Sequence, residues 1–575
     1  MKELKNTYQL WDVITLFTFI LTVITSYLLM KFTWHLGTDW GYFEEHIEVW
    51  KTILSEVTSL ETYSYYQYKY YLSKNNFLID FMLHISLPLF LGFIASFISV
   101  AQFFWIKGGR DKAIHISGSR LFKNKFAIKH AKKAFKKELS NNVSSCLNLH
   151  PQIVVSEIQE AGNLLITGAQ GSGKSTVIKP IVKAISNIEG LMLIYDAKRE
   201  YTPLFYQKGH LLLSPTDKRS LYWDIAADIT SPEIAYEIAS CFISQSGKEP
   251  IWANGARLLL TGCMVSLTYI KPKWSWDDLK QMLDKPVDEL GEFFDKYYPK
   301  ASKLIAENSK TTDSFFMELT TQLNWLDSVA KVWTNNSKHR FSISRWVKGK
   351  YNTKSLIIAN DPKYSSISSP LCSAVLSIVV REVLSLPDNN SVKYWFVLDE
   401  LADLPKTESL GKWLSLGRAK GARTIAGTQN ISQIQAVYGD KETETLTSLF
   451  SNLICLKVGS STNTAKKVAD NLGKRVVKRA AVSFDKEANK STSYQQSEEY
   501  LVRPEQLMQL ASPSKEGITG YLSVSGWNAV YELIWPYSKL ETIAEAHIPV
   551  EFDNTSASVI KNSNKRGRRG RNRAC

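Results

Sequence analysis

A glycine-rich loop between an apolar stretch and a helix-compatible stretch constrains this chain more than any other feature. The loop spans residues 168–176 and reads Gly-Ala-Gln-Gly-Ser-Gly-Lys-Ser-Thr. Leu164 to Thr167 precede it as a short strand, and Thr176 to Ile188 follow as a helix, in which Pro180 is expected to be tolerated only near the first turn. In that order, backbone N–H groups of the loop surround a phosphate at the positive end of the helix dipole. The sequence therefore predicts an α/β nucleotide-binding domain.

Each residue of this loop is a candidate phosphate ligand. The ammonium group of Lys174 can bridge the β- and γ-phosphates, and the hydroxyl of Ser175 can bind Mg²⁺. We therefore expect ATP and Mg²⁺ as cofactors. The predicted cofactor-binding residues are Gly168, Ala169, Gln170, Gly171, Ser172, Gly173, Lys174, Ser175 and Thr176.

Two further apolar strands end in polar residues suited to hydrolysis. Residues 394–398 are apolar and lead into Asp399 and Glu400. At the carboxyl edge of a parallel sheet, Asp399 would hold the metal through water and Glu400 would deprotonate the attacking water. Such an acidic pair also serves as a helix N-cap, so its meaning depends on the glycine loop. The strand Arg423 to Gly427 is followed by Gln429, a candidate sensor of the γ-phosphate.

The spacing of these motifs predicts an inserted domain. Lys174 and Asp399 are 225 residues apart, which is too long for simple βαβ connections. Apolar residues recur at helical spacing from about residue 231 to 347, after a helix start at Ser231-Pro232-Glu233. The strand at 355–360 resumes the sheet. We therefore expect an α/β P-loop domain that carries an all-α insertion.

Two apolar runs, residues 13–30 and 81–106, are each long enough to cross a bilayer as a helix. A signal peptide is excluded for the first run because no small-residue cleavage site follows it, whereas a buried helical hairpin is the alternative for both runs. Residues 107–137 hold eleven Lys and Arg against one acid, so the positive-inside rule places both termini in the cytoplasm. The loop 31–80, rich in Trp and Tyr, then lies outside and serves either as a contact with the bilayer or a partner, or as a structural hairpin.

The bulk composition agrees with this organisation. The net charge of +15 suits nucleic acid or an acidic membrane surface, and part of it is the orientation signal beside the second span. Six scattered cysteines without a CxxC pair argue against a zinc site or a disulfide framework.

The ordered set of motifs resembles the conjugative type IV coupling proteins of the TraD/TraG kind, which are relatives of FtsK-like DNA translocases. The resemblance covers about residues 8 to 540. It rests on the two-helix anchor followed by these stretches: His115-Ile-Ser-Gly118-Ser-Arg120, Gly168–Ser175, Tyr195-Asp196-Ala-Lys198-Arg-Glu200, Trp223-Asp224, Trp252-Ala-Asn-Gly-Ala-Arg257, Leu398-Asp399-Glu400, Gly417-Arg418-Ala-Lys-Gly421 and Gly427-Thr428-Gln429. This sequence has Arg199 where the family usually has a glycine.

The resemblance implies a RecA-like fold and a homo-hexameric ring in the bacterial inner membrane. It implies an ATPase that passes conjugative DNA through its central channel, with relaxase and relaxosome proteins and the type IV secretion channel as partners. Lys174, Glu400, Arg418 and Gln429 are the implied catalytic residues, Arg418 acting on the neighbouring subunit's nucleotide, and Ser175 and Asp399 are the implied metal ligands. The alternatives are a receptor that recruits protein substrates to a secretion channel and a chromosome-partition translocase.

These observations predict nine segments. They are residues 1–12 as a cytoplasmic N-terminus, 13–30 and 81–106 as transmembrane helices separated by the periplasmic loop 31–80, 107–150 as a basic juxtamembrane segment, 151–230 and 348–545 as the two parts of the nucleotide-binding domain, 231–347 as the all-α insertion, and 546–575 as a disordered basic tail. The last fifteen residues hold seven Lys and Arg and no acid, so the tail contacts DNA, solubilises the chain or contacts anionic lipid.

Overall fold

The computed structural model describes residues 2–34, 41–58, 62–107, 114–139, 145–207, 210–245, 249–306, 309–334, 340–388, 391–484 and 490–550. The chain forms two compact units, one of residues 1–114 with 479–494 and one of residues 115–478 with 495–575. Most of the predicted basic tail, from residue 551 onward, lies outside the described residues.

The first unit contains four helices: α1 (Lys2–Thr33), α2 (Phe43–Thr58), α3 (Tyr63–Lys74) and α4 (Leu78–Lys107). Thr15–Thr33 in α1 and Leu78–Val100 in α4 are long and apolar enough to span a membrane. The two helices approach closely at Gly92, where an added Cβ would lie 2.3 Å from the hydroxyl oxygen of Ser26. Small residues at such a contact are typical of packing between membrane helices, where close backbone approach provides the attraction.

The segment between the two spans, which the sequence predicted to be a loop, contains the helices α2 and α3. Trp34, Phe43 and Leu72 are buried in a small core between these helices and the ends of α1 and α4. Tyr68 donates or accepts a hydrogen bond with Nδ1 of His46 at 2.6 Å, which ties α3 to α2. Many of the aromatic residues noted in the sequence therefore pack against each other.

The second unit is built on a ten-stranded sheet in the order β2-β17-β16-β13-β5-β12-β11-β6-β10-β7. The seven strands from β7 to β13 are mutually parallel, and β16 and β17 extend the sheet with antiparallel pairing. The bounds are β2 (Arg120–Lys123), β5 (Leu164–Thr167), β6 (Leu191–Asp196), β7 (Leu211–Leu213), β10 (Ser355–Ala359), β11 (Tyr394–Leu398), β12 (Ala422–Thr428), β13 (Asn452–Cys455), β16 (Ile518–Ser523) and β17 (Ala529–Trp535).

The parallel strands are buried on both faces, which explains why they are continuous apolar runs in the sequence. Leu193 and Leu165 face one hydrophobic core, whereas Ile194, Ile166 and Leu164 face the other. The remaining helices of this α/β domain are α5 (Asn124–Leu139), α6 (Glu157–Glu160), α7 (Lys174–Ser186), α8 (Thr202–Phe205), α9 (Ile225–Asp228), α17 (Ile343–Val347), α18 (Ser365–Leu384), α19 (Glu408–Leu416), α20 (Ile431–Tyr438), α21 (Asp440–Ser448), α22 (Thr462–Leu472) and α23 (Pro504–Met508).

Two of these helices differ from simple expectation. The helix α7 continues through Pro180, well beyond its first turn, so the prediction that limited this proline to the first turn is wrong. Burial of Ile178, Ile181 and Ile185 against the sheet offsets the backbone hydrogen bond that the proline removes. The helix α18 is a third apolar helix of membrane-spanning length among the described residues, but most of it is buried inside the protein.

The strands β1 (Ile114–Gly118), β14 (Lys474–Phe484) and β15 (Lys490–Tyr500) form one small sheet, and in the second unit β3 (Ser145–His150) pairs with β4 (Ile153–Ser156). Within the described ranges, 3₁₀ turns lie at Pro362–Tyr364, Leu401–Asp403 and Gly417–Lys420. Cys241, Cys263, Cys372 and Cys455 are free thiols, and the last three are buried.

The all-α insertion comprises α10 (Pro232–Phe242), α11 (Pro250–Ile270), α12 (Trp276–Leu283), α13 (Val287–Tyr297), α14 (Pro299–Ser302), α15 (Lys310–Gln322) and α16 (Leu326–Val332). The hydroxyl of Ser231 accepts a hydrogen bond from the backbone N–H of Ile234, with Pro232 at the first helical position, as the sequence indicated. The segment predicted to be helical to residue 347 is interrupted by a strand, β9 (Arg340–Phe341), which pairs with β8 (Tyr222–Trp223).

One carboxylate holds the two ends of the insertion together. Asp228 is buried and accepts hydrogen bonds from the indole N–H of Trp223 at 2.7 Å and from the hydroxyl of Ser342 at 2.6 Å. It also accepts from the backbone N–H groups of Ile343 and Ser344, each at 3.0 Å. The chain therefore leaves the sheet and returns to it at a point fixed by charge-assisted hydrogen bonds.

Candidate active site

All the predicted site residues except Arg418 lie along one edge of the sheet, because the strands that precede them are parallel neighbours. The order β5-β12-β11-β6 places the glycine loop, Gln429, Asp399 with Glu400, and the turn after Asp196 side by side. Crevices at the carboxyl ends of parallel strands are where α/β proteins bind ligands. The structure thus brings together residues that are up to 261 positions apart, from Gly168 to Gln429.

The glycine loop turns tightly into α7. Gly171 and Gly173 have φ values of 76° and 93°, in the left-handed region that favours glycine. At Gly173 space is also limiting, because an added Cβ would lie 2.3 Å from Cδ1 of Ile518. Lys174 is the first residue of the helix, and its buried ammonium group donates to the backbone carbonyl of Gly168 at 2.8 Å. The lysine thereby crosses the mouth of the loop.

Glu400 lies between this lysine and the sensor candidate. Its Oε2 is 3.8 Å from Nζ of Lys174, and its Oε1 accepts a hydrogen bond of 3.1 Å from the backbone N–H of Gln429. Burial raises the pKa of Glu400, although the positive charge of Lys174 opposes that rise. Burial likewise lowers the pKa of Lys174, against the attraction of Glu400 and Asp399.

Asp399 has a partner on each carboxylate oxygen. The hydroxyl of Tyr201 donates to Oδ1 at 2.9 Å, and Nζ of Lys198 lies 3.6 Å from Oδ2. Burial and the adjacent carboxylate raise the pKa of Tyr201 well above its ordinary value, so this hydroxyl is a permanent donor. At the backbone, Gly427 is required, since an added Cβ would lie 2.1 Å from the carbonyl oxygen of Asp399.

The turn after β6 is held by Asp196. Its buried carboxylate accepts hydrogen bonds from the backbone N–H groups of Glu200, Tyr201 and Thr202 and from the hydroxyl of Thr202. This arrangement fixes the direction of Lys198 and Tyr201 toward Asp399. This turn is part of the family resemblance, and its position after a buried parallel strand is the sequence signal that it lies at the site.

The contacts of Arg199 explain how this chain departs from the family pattern, which usually has a glycine at this position. Its φ is 57°, a left-handed conformation that glycine adopts without strain and that other residues adopt rarely. The guanidinium group of Arg199 pairs with Asp361 at 2.8 Å and donates to the hydroxyl of Thr216 at 3.1 Å. These contacts stabilise an arginine where the backbone geometry favours glycine.

The donor set fits a phosphate ligand and a hard cation. The side-chain oxygens of Thr167, Ser172 and Glu400 (Oε2) are buried without a hydrogen-bond partner beside the loop. Ser175 lies on the first turn of α7. Within the described part of the chain there is no cluster of three or more His, Cys, Asp or Glu that could hold a metal.

Arg418 is not at this edge. It is an exposed residue of the 3₁₀ turn that precedes β12, whereas Gln429 follows the carboxyl end of the same strand. Seven strand residues at about 3.3 Å each separate the two positions by roughly 20 Å. The helix α19 ends at Leu416, directly before this turn.

Comparison with models of protein families shows the family to which this chain belongs. The model for the type IV secretion-system coupling protein DNA-binding domain matches residues 148–528. The chain belongs to this family of coupling proteins. The match includes the glycine loop, the all-α insertion and both strands that carry the polar site residues.

Individual relatives are more distant. The coupling protein TraD of Escherichia coli (strain K12) is 24% identical over 435 residues, which cover 73% of this chain. The alignment spans 59% of the length of that curated relative. Among solved structures, the plasmid coupling protein TrwB in complex with ADP and Mg²⁺ is 23% identical with a TM-score of 0.63, covering 77% of this chain and 99% of TrwB.

A TrwB structure with the ATP analogue ADPNP has a TM-score of 0.62 at 23% identity and the same coverage of both chains. These likenesses confirm the fold of the coupling-protein family that the sequence predicted, an α/β RecA-like P-loop domain with an inserted all-α domain. The apolar N-terminal helices precede that domain.

Proposed function

We propose that this chain is a Mg²⁺-dependent ATPase that couples a relaxase–DNA complex to a type IV secretion channel and pumps DNA during conjugation. The observation that carries the ATPase proposal is the position of Glu400. This buried carboxylate is aligned by the N–H of Gln429 and faces Lys174 beside the glycine loop. Membership of a family defined by a coupling-protein DNA-binding domain supports the DNA cargo.

The chain's own groups divide the hydrolysis reaction between them. Glu400 accepts a proton from the water that attacks the γ-phosphorus atom, and its raised pKa makes it a stronger base than an exposed carboxylate. Lys174 would leave the carbonyl of Gly168 for the β- and γ-phosphate oxygens and stabilise negative charge there. The amide of Gln429, adjacent to Glu400, would register whether the γ-phosphate is present.

The residues that would hold Mg²⁺ are Ser175, through its hydroxyl, and Asp399, through water. When bound, the ion supplies positive charge to the phosphate oxygens and the leaving group. Residues 168–176 would hold the phosphates through backbone N–H groups and the hydroxyls of Ser172, Ser175 and Thr176. The unpartnered oxygen of Ser172 supports this proposal.

Arg418 enters the proposal through a neighbouring subunit. Because it lies at the amino edge of β12, it is remote from the nucleotide of its own chain. In a homo-hexameric ring it would reach the nucleotide of the next subunit and neutralise charge in the transition state. Its exposure on the surface supports this proposal.

The proposed setting is the bacterial inner membrane. The two apolar helices would span it, with both termini in the cytoplasm as the basic residues after α4 indicate. The relative TraD and the structural neighbour TrwB are named as coupling proteins, and TrwB as a conjugative one, which supports relaxosome proteins and secretion-channel components as partners. The basic tail would contact DNA phosphates without sequence preference.

The proposal is tested by ATP hydrolysis of the full chain in lipid nanodiscs, with and without single- or double-stranded DNA. We expect DNA to stimulate hydrolysis, and Lys174→Ala to abolish it. Lys183→Ala, an exposed lysine on the same helix, is the matched control and should retain activity. A donor cell carrying Lys174→Ala should lose DNA transfer at an unchanged protein level.

The alternatives give different results in the same assay. If the rate of ATP hydrolysis is the same with and without DNA, the proposal of a DNA pump is contradicted. That result would favour a receptor that recruits protein substrates. DNA stimulation together with normal conjugative transfer by Lys174→Ala would instead favour a chromosome-partition translocase.

A further inference from the structure

A recess lies where the helices between the two spans meet the ends of those spans. It has a volume of about 530 Å³, within the range of roughly 300–1,000 Å³ of small-molecule sites. The lining comes from α1, α2, α3 and α4, so the recess exists only when all four helices are packed. Its apolar lining includes Met30, Ile53, Leu72, Phe81, Met82 and Ile85.

The position of these residues relates the recess to the bilayer. Met30 lies in the last turn of the candidate span in α1, and Met82 and Ile85 lie in the first two turns of the span in α4. Met82 is 62% exposed, so the recess is open on the side that hydrocarbon would cover. The recess therefore continues from the hydrocarbon region into the first unit of the protein.

The opposite end of the recess is lined by residue types that are common at the membrane–water interface. Trp50, Tyr65 and Tyr68 contribute aromatic rings, which are enriched at the level of lipid headgroups. Among the described residues of the lining, Lys69 is the one that carries a charge. It is exposed and lies on α3 one turn before the buried Leu72, so its stem follows the recess while its ammonium group reaches water.

We propose that this recess binds one acyl chain of an anionic phospholipid, with the headgroup phosphate beside Lys69. An acyl chain in the recess would cover the apolar side chains that line it and keep water from them. The cation at the rim selects a negatively charged headgroup, as basic residues near a membrane surface do. The recess opens toward hydrocarbon at one end and has a cation at the other, which matches the acyl chain and the anionic headgroup of a lipid.

The recess differs from the general lipid-facing surface of the spans. Phe19 and Phe97 are 68% and 58% exposed on the open sides of α1 and α4, where any lipid makes contact. The recess instead encloses a ligand between four helices. A bound lipid would thereby brace α2 and α3, whose Phe43 and Leu72 are buried in the small core, against the membrane spans.

The test uses the full chain in phosphatidylcholine nanodiscs that contain a minor fraction of phosphatidylglycerol with a photo-reactive acyl chain. Cross-linked peptides are identified by mass spectrometry. We expect cross-links concentrated on α2 and the first turns of α4, near Ile53 and Met82. Ile53→Trp, which fills the recess, should abolish these cross-links, whereas Leu54→Trp, at the adjacent 68% exposed position, should leave them unchanged.

The headgroup is tested separately. Lys69→Gln should reduce labelling by phosphatidylglycerol about fivefold, since one lysine beside an anionic surface contributes about 1 kcal/mol. Lys74→Gln, an exposed lysine on the same helix but outside the recess, is the control. A photo-reactive phosphatidylcholine should label weakly and respond to neither substitution.

Three outcomes would overturn the proposal. One is labelling spread evenly over the outer faces of α1 and α4, and another is labelling that persists in Ile53→Trp. The third is competition by detergent as effective as competition by phosphatidylglycerol, which would indicate an adventitious apolar ligand. If Ile53→Trp does not fold, Met82→Trp at an exposed position fills the same recess and replaces it in the test.

Discussion

Nζ of Lys198 lies 3.6 Å from Oδ2 of Asp399, while the hydroxyl of Tyr201 donates to the other oxygen of the same carboxylate at 2.9 Å. Both oxygens of the proposed metal ligand are thus engaged by the turn that follows β6. The ammonium group of Lys198 supplies the positive charge that Mg²⁺ would otherwise supply. Binding of the ion would therefore require Lys198 to move away from Asp399.

We expect Lys198→Met to lower the Mg²⁺ concentration that half-saturates ATP hydrolysis. Lys198 is partly exposed, and an exposed ion pair contributes about 0.2–1 kcal/mol, so the shift should be up to about fivefold. Metal titration of the ATPase rate measures it. Lys179→Met is the control because Lys179 pairs with Glu200 instead of Asp399. An unchanged or higher metal requirement in Lys198→Met would contradict this competition.

Glu400→Gln is expected to bind ATP and lose hydrolysis by roughly 10²–10⁴-fold, the contribution of a positioned general base. Glutamine can still accept the hydrogen bond from the N–H of Gln429, so the site should stay folded. Nucleotide binding by equilibrium dialysis and turnover by phosphate release separate the two effects. Weakened binding equal to the loss of turnover would show that Glu400 acts in binding instead.

The pH profile of kcat should report the same carboxylate. Burial raises the pKa of Glu400, and the base must be ionised to accept a proton. The rate should therefore rise with pH through a pKa above that of an ordinary glutamate, and fall as pH decreases through it. A profile with its acidic limb at or below pH 4.5 would be inconsistent with a buried general base.

Arg418→Ala subunits mixed with Lys174→Ala subunits should recover part of the ATPase activity that each lacks alone. Recovery follows if Arg418 serves the neighbouring nucleotide, because a mixed interface combines an intact Arg418 with an intact Lys174. Phosphate release across mixing ratios measures it. Lys412→Ala, exposed on α19 and paired with Glu408, should behave as wild type. No recovery at any ratio would rule out action in trans.

Asp228→Asn should destabilise the second unit by about 2–3 kcal/mol. The substitution removes the charge that strengthens several hydrogen bonds at the base of the insertion, and such bonds contribute about 1.5–3 kcal/mol. Thermal unfolding of the full chain measures the loss. Asp327→Asn, on the exposed surface of α16, should leave the midpoint unchanged. Equal midpoints for the two variants would contradict the role given to Asp228.

The glycine loop and its strands were predictable from the sequence because their signals are local. Buried parallel strands are apolar runs, so the bounds of β5 and β11 were predicted to the residue. The order of strand, loop and helix then placed Lys174, and the acids after β11 could be assigned to the same edge. The match to coupling proteins was likewise carried by an ordered set of short motifs.

Other features depend on contacts between distant parts of the chain. The pairing of Lys198 and Tyr201 with Asp399 joins residues about 200 positions apart, and Tyr201 differs in no local way from other tyrosines. The helices α2 and α3 were missed because aromatic residues give no single period, and their core forms only against α1 and α4.

The sequence by itself therefore determined the nucleotide loop, the acidic pair, the two apolar spans and the family, since each is encoded by neighbouring residues or a fixed period. Only the tertiary structure decided which side chains contact Asp399 and how hydrogen bonds to Asp228 join the two ends of the insertion. It also decided that Arg418 lies at the opposite end of β12 from the nucleotide site. The physical reason is that hydrogen bonds and ion pairs depend on distances of a few ångströms. Those distances are set by the packing of whole strands and helices.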